Sequence, residues 1–220
     1  KWFENLPIDT NPDYMVYMDD FTGVTLDSTN DWTVVKDSSA SVAIAADVFG
    51  GAITMSSQAT TDNDGSSIQG NEIFAVATTR DIWFETKITP TDAEGDAMDI
   101  CIGLTVNFAT NPEAMLTAAD RIVFQIDDGD SNIDCVTEKD GTATTTDSGI
   151  DIASGTAVTL GFHVKGTGSV EFFVNRNKVA THTANIPDDE NLALGAMQLS
   201  GSATGTKSMN VDYMFAAQNR

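Results

Sequence analysis

The sequence predicts an all-β chain folded as an antiparallel sandwich, with at most one short helix near residues 111–119. Three observations carry this expectation. Apolar residues recur at every second position in many segments, turn-forming residues separate those segments, and only one short stretch reads as helix.

The alternation is clearest in the middle and at the end of the chain. In Ile82–Thr89, Ile82, Phe84 and Ile88 share one face, while Glu85 and Lys87 point the other way. Met98, Ile100, Ile102 and Leu104 repeat the pattern, as do Ile122, Phe124 and Ile126. Val158, Leu160, Phe162 and Val164 follow, then Val170, Phe172 and Val174, and finally Val211, Tyr213 and Phe215. One apolar face per strand is what two packed antiparallel sheets require. Gly50-Gly51, Asp140-Gly141, Lys165-Gly166-Thr167-Gly168 and Asn175-Arg176-Asn177 supply the turns, through residues that tolerate left-handed backbone. Around Asn111–Ala119, Asn111 can cap a helix, Pro112 suits its first turn and Glu113 complements its dipole. Residues 1–13 read as an arm, because Pro7 and Pro12 interrupt any ladder around Trp2, Phe3 and Leu6. Residues 14–220 read as one sandwich domain.

A chain of 220 residues can bury a large core without staples. Its formal charge of −22, from 33 acidic and 11 basic residues, excludes partners held by Lys/Arg contacts to phosphate. Nucleic acids and anionic membranes are therefore not expected as partners. No apolar run approaches the ~18 residues of a membrane span. Cys101 and Cys135 stand in apolar strand-like runs and read as reduced core thiols; sequence alone leaves a disulfide open.

An ordered set of segments carries a family resemblance. Gly50-Gly51-Ala52-Ile53-Thr54-Met55 is followed by Thr61-Asp62-Asn63-Asp64 and Ile82-Trp83-Phe84-Glu85-Thr86-Lys87-Ile88. Then come Ile122-Val123-Phe124-Gln125-Ile126-Asp127-Asp128-Gly129-Asp130, Val170-Glu171-Phe172-Phe173-Val174-Asn175, Val211-Asp212-Tyr213-Met214 and Gln218-Asn219-Arg220. Over residues 14–220 this order resembles tailed-bacteriophage virion proteins, capsid decoration or head-associated, with a concanavalin A-like (laminin-G-like) jelly roll. The resemblance implies a structural protein on the capsid exterior that binds and stabilises the assembled head. It also implies the major capsid protein or other virion proteins as partners, and a homotrimer. Trp2, Phe3 and Leu6 are the expected capsid contacts, since desolvated apolar anchors carry most interface energy. The alternative is a carbohydrate-binding, lectin-like module of a phage fibre or secreted protein.

The chemistry expected from the residues is sparse. Hydrolysis of a glycosidic bond needs two carboxylates astride it. Laminarinase-like concanavalin A-like enzymes place them on one strand as Glu-x-Asp-x-x-Glu, facing the cleft. The corresponding strand here reads Arg121-Ile122-Val123-Phe124-Gln125-Ile126-Asp127 and contains no Glu. On that ground the chain is expected not to be an enzyme. Glu94-Gly95-Asp96-Ala97-Met98-Asp99 has a similar spacing but straddles a loop and a strand start.

No cofactor is expected beyond calcium, for which Asp127, Asp128 and Asp130 offer hard oxygen ligands in a tight loop. Hairpin chemistry explains the same residues, and also Asp62-Asn63-Asp64-Gly65. His163 and His182 lack an evident metal or catalytic partner and read as structural. Trp32 and Trp83 are the large aromatic candidates for a glycan or protein contact. Trp83 lies opposite Phe84 in the alternation, so one of the two faces away from the core.

Overall fold

The computed structural model describes residues 13–46, 48–58, 61–91, 97–108, 110–201 and 206–220. In chain order its strands are β1 (Tyr14–Asp19), β2 (Thr33–Lys36), β3 (Ala40–Ile44), β4 (Ile53–Gln58) and β5 (Gly65–Ala75). Next come β6 (Asp81–Thr91), β7 (Met98–Thr105), β8 (Arg121–Ile126), β9 (Asn132–Lys139) and β10 (Thr142–Asp151). The last are β11 (Val158–Lys165), β12 (Ser169–Val174), β13 (Asn177–His182), β14 (Asn191–Ser200) and β15 (Thr206–Asn219). One sheet runs β13-β12-β11-β6-β15-β4-β3, with β1 beside the second half of β15. The other runs β10-β9-β8-β7-β14-β5-β2. The pairings are antiparallel, so the expected sandwich is what forms. No helix among the described residues is long and apolar enough to cross a membrane.

The core lies where the alternation placed it except in β15: a bulge after Val211 turns Met214 and Ala216 inward and Tyr213 outward to Glu85, so Val211, Tyr213 and Phe215 do not share the expected face. Ile82, Phe84 and Ile88 of β6, Leu160, Phe162 and Val164 of β11, and Val170, Phe172 and Val174 of β12 face inward from the first sheet. Met98, Ile100, Ile102 and Leu104 of β7 and Ile122, Phe124 and Ile126 of β8 meet them from the second. Register puts Phe84 beside Phe162 and Phe162 beside Phe172. Their rings stand 4.7 Å and 5.9 Å apart, and Phe124 meets Phe172 edge-on at 5.4 Å.

Two hairpins follow from backbone chemistry. Asp140 and Gly141 both take positive φ between β9 and β10, and Asn175 and Arg176 do so between β12 and β13. Two successive positive-φ residues give the turn whose twist matches that of the strands.

The outer face of the second sheet is roofed. Cys101, Val123, Val136, Met197 and Leu199 point outward and are buried beneath Phe108 and Met115 of the β7–β8 connection. The expected helix at 111–119 contracts to a 3-10 turn, Pro112–Met115, capped by Asn111 Oδ1 accepting from the Glu113 N–H. The Met115 carbonyl accepts instead from buried Arg121 Nη1 at 3.1 Å, which ends the helical ladder. Cys101 faces this roof while Cys135 faces the core, so both thiols are free. Burial pushes each up to about 12, leaving it protonated.

Gly195 sits under the roof, and a Cβ there would stand 2.6 Å from Phe108 Cε1. Gly195→Ala is therefore expected to lower the unfolding free energy by about 1–3 kcal/mol, seen as a lower urea midpoint with unchanged m-value.

Candidate functional site

Two outward faces offer chemistry, and the first belongs to β8. Alternation turns Arg121, Val123 and Gln125 outward, as expected for a cleft strand. Arg121 Nε donates to Glu138 Oε2 at 2.7 Å and its Nη1 to Gln125 Oε1 at 2.9 Å, while Gln125 Nε2 donates to Asp127 Oδ1 at 2.7 Å. Val123 is sealed under the roof. The face is thus a closed polar chain beside packed apolar residues.

At its rim lies the proposed calcium loop. Asp127 accepts from Gln125, the Asp128 N–H donates to Asp99 Oδ1 at 2.8 Å, and the Asp130 carboxylate accepts from the Asn132 N–H at 3.0 Å. Among the described residues, no three His, Cys, Asp or Glu side chains are gathered to hold a metal ion. Of the Glu94–Asp99 stretch, residues 94–96 lie outside the described residues.

Asp99, which closes that spacing in the sequence, is the residue whose burial the sequence does not show. It is 4% exposed, and burial, with Asp128, Asp127 and Asp62 nearby, pushes its carboxyl from 3.8 up to about 6. A raised carboxyl keeps its proton in the folded state after the unfolded state has released it. Stability from this group is therefore highest below about pH 4 and is lost as pH rises through about 6. Asp99→Asn keeps an acceptor for the Asp128 N–H and removes the titration. The variant is expected to exceed the parent by about 2–3 kcal/mol in urea unfolding at pH 8, the gap closing towards pH 4.

The second face is the outside of the first sheet. Phe84 is the inward member of its pair, and Trp83 is half-buried on the outer side. His163, directly across on β11, stacks on the indole at 4.9 Å and 15°. On the other flank Trp83 pairs with Ala217, whose small side chain lets Tyr14 of β1 approach to 6.1 Å. Three rings thus run across four strands, a span of roughly 14 Å at the usual strand spacing.

Polar groups border the rings. His163 Nε2 lies 3.1 Å from Asp81 Oδ2, and Lys165 and Lys178 hold Glu171 at 2.8 and 3.5 Å. Burial holds the His163 imidazole below its ordinary range, although Asp81 pulls it upward. Two residues along β6 from Trp83, buried Glu85 receives Tyr213 Oη at 2.6 Å and Arg176 Nη2 at 3.4 Å.

The other sequence candidates are placed differently. Trp32 is a core residue, 2% exposed, with Nε1 donating to Asp19 Oδ2 at 2.8 Å; it is withdrawn from the contact candidates. His182 is buried between the sheets, bonded to Thr137 and Thr146 at 2.9 and 3.0 Å. Trp2, Phe3 and Leu6 lie outside the described residues.

No protein-family model matches the chain, and no curated protein sequence matches it. Solved structures do. An endo-1,3-β-glucanase from Streptomyces sioyaensis superposes with a TM-score of 0.66 at 12% identity, covering 95% of this chain and 98% of that one. The sandwich is a concanavalin A-like jelly roll. The jelly roll also superposes on a Bacillus licheniformis β-glucanase with a TM-score of 0.64 at 12% identity, covering 91% and 97% of the two chains. An endo-β-1,4-glucuronan lyase from Trichoderma reesei gives 0.61 at 13%, covering 85% and 93%.

Identities this low show the fold alone, yet they correct one expectation. The chain was expected not to be an enzyme because β8 lacks the Glu pair. The same jelly roll carries glucanases and a lyase, and elimination does not use two carboxylates astride the bond. The missing pair removes one hydrolytic arrangement, not catalysis. None of these three neighbours is a virion protein, so the virion setting rests on the sequence resemblance.

Proposed function

We propose that the protein is a carbohydrate-directed jelly roll that engages a neutral polysaccharide on the Tyr14–Trp83–His163 face. The row of rings carries this reading. Sugar rings present apolar C–H faces that lie on aromatic surface, while nearby charged and amide groups take their hydroxyls. Carboxylates and cations border the rings on this face. A chain of net charge −22 repels polyuronates at long range, which favours an uncharged glycan.

Affinity electrophoresis through gels containing β-glucan, xylan, mannan or galactan tests the reading, with Trp83→Ala as control. Retardation by at least one neutral gel is expected. Migration unchanged in all of them overturns the proposal. Incubation of the same polymers, read for reducing ends and for unsaturated products, decides whether binding is accompanied by cleavage.

The capsid setting implied by the sequence resemblance concerns where such a face is displayed. Copurification with intact phage particles tests it, and deletion of residues 1–12 tests Trp2, Phe3 and Leu6 as anchors.

A further inference from the structure

Three loops meet at one end of the jelly roll around an open, solvent-facing cavity of about 400 Å³. The β9–β10 hairpin contributes Lys139, Asp140 and Thr142, the β11–β12 turn contributes Thr167, and the β13–β14 connection contributes Thr183, Ile186 and Asp188. Its size lies at the lower end of the range for small-molecule sites.

The lining narrows the ligand. The Thr142 and Thr183 hydroxyls can each donate and accept, the Thr167 hydroxyl lies 3.4 Å from Thr78 Oγ1, and Ile186 is a buried residue at the base. Lys139, the cation of the lining, is held by Asp188 and lies 3.5 Å from Asp189. With Asp140 and Asp188 also present, the wall is net negative, so phosphate, sulfate and uronate are disfavoured. Among the described residues no aromatic ring lines it, which removes the usual platform for a nucleobase. A compact, uncharged molecule with several hydroxyls fits these constraints.

The walls are also held in place. Asp140 and Asn185 take positive φ without being glycine. The Asp140 N–H donates to Asp120 Oδ1 at 3.1 Å, and Asn185 Nδ2 donates to Thr144 Oγ1 at 3.0 Å. Thr137 Oγ1 fixes the connection further by donating to the Ala184 carbonyl at 3.0 Å.

We infer that this loop-end cavity is a saccharide subsite that takes one neutral sugar ring, separate from the Trp83 face. The inference rests on the carbohydrate reading, and its position supports that link. Thr167 follows His163 by four residues on the same hairpin, which places the cavity at one end of a strand that carries the ring row.

Isotope-labelled protein titrated with D-glucose, D-galactose, D-mannose and D-xylose, and separately with inorganic phosphate, tests this by NMR. At least one sugar is expected to shift the Thr142, Thr167 and Thr183 amides saturably, and to do so equally in Trp83→Ala. Thr142→Val and Thr183→Val should each weaken that binding about threefold or more, the loss of one hydroxyl hydrogen bond. If sugars or a retained polysaccharide move only the Trp83 indole, the cavity assignment fails and the carbohydrate reading stands. If phosphate moves these amides and sugars do not, the cavity is an anion site and the inference is overturned. If no sugar moves any resonance and no polysaccharide is retained, both fall together.

Discussion

Trp83→Ala is expected to release the protein from any polysaccharide that retains it, weakening binding by about 30-fold or more. The size follows from what the indole does. A central aromatic anchor in a desolvated contact is worth about 2 kcal/mol or more, and each 1.4 kcal/mol is tenfold. Removing Trp83 also takes away the surface on which His163 and Tyr14 are arranged, since both rings are positioned against it. Trp83→Phe keeps a ring in the row and should recover part of the affinity. Glu171→Gln, one residue beyond the ring row, should cost less, because its carboxylate already serves Lys165 and Lys178 at the surface. Trp83 lies outside the core, so the alanine variant should unfold in one cooperative transition like the parent. Equal retention of Trp83→Ala and parent would move the binding surface elsewhere.

How far the sequence showed this depends on whether a feature is local. β6, β7, β8, β11 and β12 were legible because an unbroken period-two series of apolar residues runs along one face of each. β10 was not, since Thr142–Asp151 is an edge strand with no buried face and owes its existence to pairing with β9. β14 reads as apolar on both faces, with Leu192, Leu194 and Ala196 inward and Met197 and Leu199 outward. Its outward residues have a reason only once Phe108 and Met115 cover them. The short helix was overestimated because its pattern cannot show that Arg121 takes the Met115 carbonyl.

The site divides in the same way. That Trp83 or Phe84 turns outward follows from period two, but the partnership of Trp83 with His163 depends on the β6–β11 register. A signal existed: pairing Phe84 with Phe162 in the core places their outward neighbours Trp83 and His163 side by side. Trp32 gave no such signal, because it precedes β2 and its burial is decided by Tyr17, Phe21 and Asp19. The dense acidic loop at Asp127–Asp130 reads in sequence both as metal ligands and as turn chemistry; in the structure Asp127 accepts from Gln125 and Asp130 from the Asn132 N–H. The enzymatic exclusion went too far for a related reason. It treated one strand motif as the whole chemical repertoire of a fold that hosts several chemistries.

The same register makes Phe162→Ala the most damaging core substitution, with an expected loss of about 4–5 kcal/mol in urea unfolding. Phe162 is fully buried and central to the aromatic row. It stacks on Phe84 at 4.7 Å, meets Phe172 at 5.9 Å and reaches Phe124 of the opposite sheet at 6.4 Å. Truncation removes the ring's transfer free energy and leaves a void that strands on either side, fixed by their ladders, cannot close. Each aromatic pair adds roughly 0.5–1.5 kcal/mol beyond area burial, so the alanine value belongs at the top of the usual range. Phe162→Leu keeps most of the volume and loses the ring contacts, so it should cost much less, about 1–2 kcal/mol. Stabilities commonly lie near 5–15 kcal/mol, so the alanine variant can approach the edge of folding at 25 °C. Loss of polysaccharide retention in Phe162→Ala should then follow the unfolded fraction, whereas in Trp83→Ala it should occur in folded protein. That contrast separates the two roles of the same pair of strands: Phe84 and Phe162 hold the jelly roll together on one face, and Trp83 and His163 form the proposed glycan-binding face on the other.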